Sequence, residues 1–324
     1  MTGRAAAGPD RVPDYDELTA APGRPAGTSW GLFGDDAGTI NFATPDALVA
    51  AAQTVRRGVV FSLNLPTTEP SPPILGRGAL EKHRVPLDGG GFDDYYDAFY
   101  PQTSSQWDAL AHVEHPEHGF YQGYDVQAVT DATAPVLGID QWARRGLATR
   151  FVLADVAGHL RRRGTPLDPS TSAGIGTELL DEVLAAQGVT PAPGDVLLIH
   201  TGWLAWYREL SDDRRRELSA ADLFPAPGLD PREATARWLW NHRFAAVAAD
   251  CPALEKMPFD KAAEDGFLHL RLIAKLGFMI GELFDLEALA DDCAEDGRYE
   301  GLFCAAPLNT PGGAGSPANA LALK

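Results

Sequence analysis

The sequence predicts an α/β fold, and three observations carry that expectation. Helix-like and strand-like segments alternate through the C-terminal half. Short apolar runs, such as Asp195 to His200, have the length and composition of buried strands rather than helices. The chain also contains 33 Gly and 25 Pro in 324 residues, which speaks for many tight turns and ordered loops and against a helical bundle.

The elements follow in order. Thr44-Pro45 opens a helix to about Val55, with Thr44 as N-cap and proline at the first helical position. Val59 to Leu65 reads as a strand, and Phe151 to Asp155 as a short buried one. Thr177 caps a helix through Ala186 that Gly188 ends. Asp195 to His200 is the next strand. Asp230-Pro-Arg-Glu233 reads as a capping box, its helix running to about His242, and Phe244 to Ala249 follows as a strand. No glycine-rich phosphate loop follows any of these strands, which disfavours nucleotide-dependent chemistry. No linker or internal repeat divides the chain. Residues 1–13 read as a mobile tail, and 14–324 as one domain with an N-terminal arm.

Composition narrows the function. The formal net charge is −18, so the surface repels phosphate backbones and anionic lipid, and neither nucleic-acid nor membrane partners are expected. Cys251, Cys293 and Cys304 are too few and too widely spaced for a disulfide framework or a zinc motif; small buried hydrophobes are the expectation. No secretory signal or membrane-length apolar stretch is found, so a cytoplasmic location is expected by default.

The chemistry concentrates in Gln102-Thr-Ser-Ser-Gln106-Trp-Asp108-Ala-Leu-Ala-His112. If 102–108 is extended, Gln102, Ser104, Gln106 and Asp108 share one face, while Thr103, Ser105 and Trp107 share the other. Four oxygen-bearing groups on a buried face each need a partner, which a metal, a substrate or a water cluster would supply. The alternative is a solvated strand face. Further on, His269 shares a helical stripe with Leu272, Ile273 and Leu276. On one continuous helix His269 and Glu282 would point apart; a break at Gly277 lets them converge.

The segment 102–112 resembles the motif of the cyclase family, the group similar to bacterial kynurenine formamidase: His-x-Gly-Thr-His-x-Asp, then His four residues later. Gln102 and Gln106 stand at the two metal-binding histidines of that motif, and Ser104-Ser105 at its Gly-Thr. Asp108 and His112 match outright, and the Gln-x-x-x-Gln-Trp-Asp form looks like a subgroup. The resemblance extends over nearly the whole chain. It takes in Ser29-Trp-Gly-Leu, Gly38-Thr-Ile-Asn-Phe, Phe61-Ser-Leu-Asn-Leu-Pro66, Gly194 to Trp203, Ala249-Asp-Cys-Pro252 and Ala306 to Pro317. It implies a mixed sheet with flanking helices of the swivelling β/β/α type, assembled as a homodimer or homotetramer. It implies a metal-dependent hydrolase or cyclase acting on an amide, lactam or lactone, with Gln102, Gln106, Asp108, His269 and Glu282 at the metal and His112 as acid–base, beside Asp108 and Glu282. The spacing from His269 to Glu282 is one residue longer than the usual pattern, so a core histidine is the competing reading for His269, as an interface ion pair is for Glu282.

With Gln at both histidine positions, manganese or magnesium is favoured over zinc, and a centre without metal stays open. In that case the chain would be a metal-independent cyclase or dehydratase of a natural-product intermediate, or a catalytically silent binder of a small molecule. Trp30, Trp107, Phe120 and Tyr121 could wall an aromatic substrate pocket, or be ordinary packing. His115 and His118 read as surface residues. Asp250 ends an apolar strand and either serves the site or caps a turn.

Overall fold

The most apolar runs of the chain become the middle of a mixed sheet. The computed structural model describes residues 11–34 and 36–324; of the expected tail, 1–10 lie outside the described residues. The strands, in chain order, are β1 (Val60–Ser62), β2 (Glu81–Pro86), β3 (Phe92–Asp97), β4 (Gln106–Asp108), β5 (Leu147–Asp155), β6 (Gly174–Ile175), β7 (Val196–His200), β8 (Gly228–Leu229), β9 (Ala246–Ala249), β10 (Met279–Glu282), β11 (Glu300–Ala305), β12 (Gly315–Pro317) and β13 (Ala320–Leu323). Nine of them make one sheet in the order β1-β13-β11-β5-β7-β9-β10-β4-β12. The strands β5, β7, β9 and β10 run parallel, and the pairs at either side are antiparallel.

The parallel strands are covered on both faces, which is why Val196–His200 is buried at every position and shows no alternation. At the antiparallel side, β11 alternates between half-buried and buried residues. The helix Thr177–Ala186 packs on β5 through buried Leu180, Val183 and Leu184. The helix Glu233–Asn241 packs on Thr177–Ala186 and receives the N-terminal helix Tyr15–Ala20. There Tyr15 donates its backbone N–H to Asn241 Oδ1 at 2.9 Å, so the N-terminal segment is pinned to the body.

Most expected elements occur, with changes at their ends. The first helix is Pro45–Ala52, and Thr44 accepts the Ala47 N–H as its cap. Thr177 is the first helical residue rather than a cap, because Gly176 takes the N-cap position. The capping box at Asp230–Glu233 does not form. Arg232 is the N-cap without a side-chain bond, and Thr235 Oγ1 instead donates to the Asp230 carbonyl at 2.6 Å. The strand expected over 59–65 is confined to Val60–Ser62. Asp250 caps the turn after β7: its carboxylate accepts Thr201 N, Thr201 Oγ1 and Gly202 N at 2.7–2.8 Å. Cys251 and Cys293 are buried, and Cys304 is half-buried.

A buried ionic group ties the C-terminal ends of β5 and β7 to two helices. His200 Nδ1 lies 2.9 Å from Asp155 Oδ1, and its Nε2 lies 3.0 Å from Glu287 Oε2. Asp155 Oδ1 also accepts the Gly158 N–H at 2.8 Å, capping the helix Val156–Arg162. Burial disfavours the imidazolium, but the bonds to Asp155 and Glu287 outweigh it and push His200 up to about 10. The folded state therefore holds this proton while the unfolded chain releases it near its ordinary value of about 6.5. The stabilisation is complete below that value and is lost as pH rises toward 10. In urea titrations between pH 6.5 and 10, the wild type should lose stability more steeply than His200→Asn. Parallel pH slopes for the two would remove His200 from the account.

Candidate active site

The site forms where β4 lies between β10 and β12. The register sets Gln106 opposite Glu282, Trp107 opposite Gly281 and Asp108 opposite Ile280. Alternation then puts Gln106, Asp108 and Glu282 on one face and Trp107 on the other. Trp107 occupies the space over Gly281, where a Cβ would fall 2.9 Å from its ring. It meets Phe284 edge-on at 4.9 Å and donates its indole N–H to Ala318 O. It is fully buried, so it packs the core and is no pocket wall.

Only the last three residues of 102–108 are strand; 101–105 form turns, which corrects the expected extended stretch. Gln102 still reaches the site by folding back. Its Nε2 donates to Asp108 Oδ1 and to His112 Nδ1, the latter at 3.0 Å. Ser104 donates to Pro66 O, and Ser105 donates to Leu283 O while accepting the Leu65 N–H. Both serines are thus spent on the backbone.

His269 arrives from a different direction. Residues Leu270–Lys275 form a π-helix, with the Leu276 N–H bonded to the carbonyl of Arg271, five residues back, at 3.0 Å. A π turn takes up one residue more than an α turn, which accommodates the long spacing noted above. Gly277, at φ +70°, then turns the chain into β10. The result joins the two residues that a straight helix would separate. His269 Nε2 is 3.2 Å from Glu282 Oε1 and 3.5 Å from Asp108 Oδ2. His112 Nε2 lies 3.7 Å from Asp108 Oδ1, and Gln106 Nε2 donates to Glu282 Oε2. The candidates Gln102, Gln106, Asp108, His112, His269 and Glu282 thus meet in one cluster.

Glu255 was not anticipated. It is completely buried, and both its carboxylate oxygens lie within 2.9 Å of His269 Nδ1. A carboxylate on one ring nitrogen fixes the imidazole's orientation and aims the other nitrogen at the cluster. The signal in sequence was faint: an acid six residues past the β9 strand, amid apolar neighbours. Phe267 was also missed; it stacks on His269 at 4.6 Å, nearly parallel.

The electrostatics are those of crowded acids. Burial would push the Asp108 carboxyl up, but His112 and His269 outweigh it and hold it at about 2. Burial and the Asp108 charge raise Glu282 to about 7 against the pull of His269. For His269, burial is overcome by Glu255, Asp108 and Glu282, which hold its proton well above the usual histidine range. His112 is shifted down by burial, only partly opposed by Asp108.

The donor set fits a divalent cation. Asp108, His269 and Glu282 each offer a ligand atom within 4.8 Å of the others. Two buried acceptors in the same cluster, Asp108 Oδ2 and Gln106 Oε1, have no hydrogen-bond partner. Orphaned buried oxygens are costly, and a cation would satisfy both together.

Other expectations need correction. Tyr121 is fully buried, with its hydroxyl 3.1 Å from Ser29 Oγ. Phe120 is also buried, and the Trp30 indole donates to Ala274 O. These side chains are committed to packing. His115 is not a surface residue: it is buried, 2.7 Å from Glu264 and stacked on His118 at 4.4 Å. A cavity of about 640 Å³ lies instead beside the helix Pro45–Ala52, lined by Leu48, Arg144, Leu147, Cys304 and Leu321 among others. None of the clustered ionisable residues lines it, so volume and chemistry point to different places, and chemistry decides.

The chain was compared with known proteins. Residues 44–256 match the family model described as Putative cyclase. A crystal structure described as a novel cyclase superposes with a TM-score of 0.80 at 32% identity, covering 92% of this chain and 99% of that one. Isatin hydrolase A from Labrenzia aggregata, bound to benzyl benzoate, superposes at 0.57 with 15% identity over 86% of this chain and 97% of its own. Isatin hydrolase A from Ralstonia solanacearum gives 0.55 and 16%, over 87% and 98%. The two hydrolases share the fold. No curated protein is significantly similar in sequence.

Glu255→Gln keeps the shape of the side chain and removes its charge. Removing such a supporting carboxylate weakens a site by about 10–100-fold. A loss of that size in Mn²⁺ affinity, with the melting curve little changed, is the expected result of titration calorimetry. Wild-type affinity in the variant would mean that Glu255 does not orient His269.

Proposed function

The chain belongs to the cyclase family, and on that premise we propose that it is a metal-dependent hydrolase or cyclase acting on an amide, lactam or lactone bond of a small molecule. The observation that carries this reading is the convergence of Asp108, His269 and Glu282 beside the orphaned oxygens of Asp108 and Gln106. The single-domain organisation and the swivelling β/β/α arrangement belong to the same proposal, supported by one continuous core and by the mixed nine-strand sheet.

Asp108, His269 and Glu282 would hold the cation, with Gln106, and Gln102 after rotation of its amide. A divalent ion in such a site lowers the pKa of a water and polarises a carbonyl. The chain's own residues do the rest. His112 stays neutral near pH 7 because burial disfavours its charge, so it is ready to take a proton and later return it to the leaving nitrogen or oxygen. As the amide stands, Gln102 donates to Nδ1, which puts the neutral ring's proton on Nε2; the same rotation that would turn the amide oxygen to the cation would let Nδ1 carry the proton and free Nε2 to take one. Carboxylate and amide oxygens are hard ligands, which favours manganese or magnesium over zinc.

One observation favours a second reading, a metal-independent cyclase or dehydratase. The amides of Gln102 and Gln106 donate to Asp108 and Glu282, closing much of the network without a cation. Chelation separates the two readings. Dialysis against a chelator should abolish turnover, and manganese should restore it better than zinc. His112→Ala should lower kcat by about 10²–10⁴-fold without loss of fold. Full activity in metal-free protein would establish the second reading and sink the first.

The proposal includes assembly as a homodimer or homotetramer. The hairpin of β2 and β3 exposes Val85, Leu87, Phe92, Tyr95 and Tyr96, continued by Phe99 and Tyr100, at 42–63% of their surface. A lone two-strand hairpin is marginal in water, and aromatic side chains present 150–250 Å² each, so these seven leave several hundred Å², on the order of one partner's share of a stable interface. Analytical ultracentrifugation should show a dimer or tetramer that Phe92→Ser/Tyr96→Ser shifts toward monomer. A wild type that sediments as a monomer at micromolar concentration would end this part of the reading.

A further inference from the structure

We propose that Arg77 is the specificity-determining residue of this site and that the substrate carries a carboxylate beside the bond that reacts. The inference rests on the reading of the Asp108–His269–Glu282 cluster as the active site.

Arg77 sits in a turn just past buried Ile74, its backbone N–H directed to the Ile74 carbonyl. The next residue, Gly78, packs so closely on Tyr100 that a Cβ there would fall 2.6 Å from the ring. Tyr100 accepts the Thr103 N–H and leads directly into Gln102. The turn is therefore anchored against the segment that builds the site. The guanidinium charge is felt at Asp108, His112 and Glu282.

Its Nη1 is buried and has no hydrogen-bond partner among the described residues. Arg24, Arg215 and Arg271 also carry an orphaned nitrogen, but each bonds through another one, and in a chain with 45 acidic and 27 basic residues other arginines find acids. Arg150, for example, is paired with Asp195 and Glu300, and Arg271 with Glu264 and Asp265. Arg77 thus offers a buried donor without an acceptor, its charge reaches a cluster with two buried oxygens that lack a donor, and the three are not bonded to one another. A cation answers the oxygens, and an acceptor answers Arg77, an anionic one most strongly. A planar carboxylate matches the guanidinium fork.

The surroundings agree. Lys261 lies over the rings of Phe259 and Phe267, at 5.7 and 6.0 Å, and its charge also reaches His112. Two positive charges are thus felt at His112 on a chain whose net charge of −18 would otherwise repel an anionic substrate. Phe267, stacked on His269, and Phe259 against it would lie beside an aryl or flat unsaturated group.

The test uses the manganese-loaded protein and a matched pair of aryl amides that differ only in the carboxylate, 2-acetamidobenzoate and acetanilide. Calorimetry should give a Kd about tenfold or more lower for 2-acetamidobenzoate, the worth of one charge-assisted hydrogen-bonded pair. Arg77→Met should erase that preference while leaving acetanilide binding unchanged, and Arg77→Lys should retain part of it. Equal binding of the two probes by the wild type, no binding of 2-acetamidobenzoate, or a preference that persists in Arg77→Met overturns the proposal. Turnover is not needed for this readout, so the two proposals fail separately. Arg77-dependent binding without cleavage of any amide counts against the hydrolase reading alone. Cleavage of acetanilide as efficiently as of 2-acetamidobenzoate counts against Arg77 alone.

Discussion

Three carboxyl groups buried around one imidazole are the constraint on which the site depends. Asp108, Glu255 and Glu282 are each at most 3% exposed, as is His269 at their centre. Removing one carboxylate from water is expensive, and removing three beside each other is worse unless positive charge is supplied. His269 supplies one unit by keeping its proton. Glu282 answers the rest by shifting to about 7, the response expected of a carboxyl forced beside another. Glu282 could also be relieved by a bound cation, which would have to displace the His269 proton. Affinity and pH are therefore coupled at this centre.

That constraint explains backbone features with no other evident purpose. The four acids and histidines come from β4, from β10, from the loop after β9 and from the helical turn before β10, so the chain must bring distant segments to one point. The π-helix at Leu270–Lys275 and the left-handed Gly277 re-aim His269 within a few residues. Gly281 keeps the opposite face flat enough for Trp107 and Phe284 to close over it. The polar face of β4 and its apolar face are thus a single design: the tighter Trp107 seats, the more firmly Gln106 and Asp108 are presented on the other side.

The order of elements was legible in the sequence because buried parallel strands read as apolar runs, and because Thr44-Pro45 and Gly188 punctuate helices by local backbone physics. The failures share a cause. Asp230–Glu233 has the composition of a capping box, but the Asp230 carboxylate pairs with Arg232 and its N–H goes to the Ile175 carbonyl, and local pattern cannot foresee a partner from a distant strand. Gln102, Asp108, His112, His269 and Glu282 were found through spacing and resemblance. Glu255, Phe267 and Arg77 were not, because each acts on the site from a loop or helix end that no periodicity marks. His115 was misjudged for a related reason: Pro116 does prevent a shared helical face, but Glu264, far along the chain, supplies the partner that buries it.

Gln at positions 102 and 106 is more than a weak substitute for imidazole. A neutral imidazole has one N–H to give, whereas a primary amide has two. Gln102 uses both from one nitrogen, reaching Asp108 and His112 together. It thereby links the residue that would hold a cation to the residue that would carry the proton, and it settles that the neutral His112 ring is protonated on Nε2. Rotating the amide would exchange these roles: its oxygen would face the cation, and its N–H groups would leave His112. Cation binding and the protonation pattern of His112 are then two outcomes of one side-chain torsion, a coupling that two histidines in the same places could not provide.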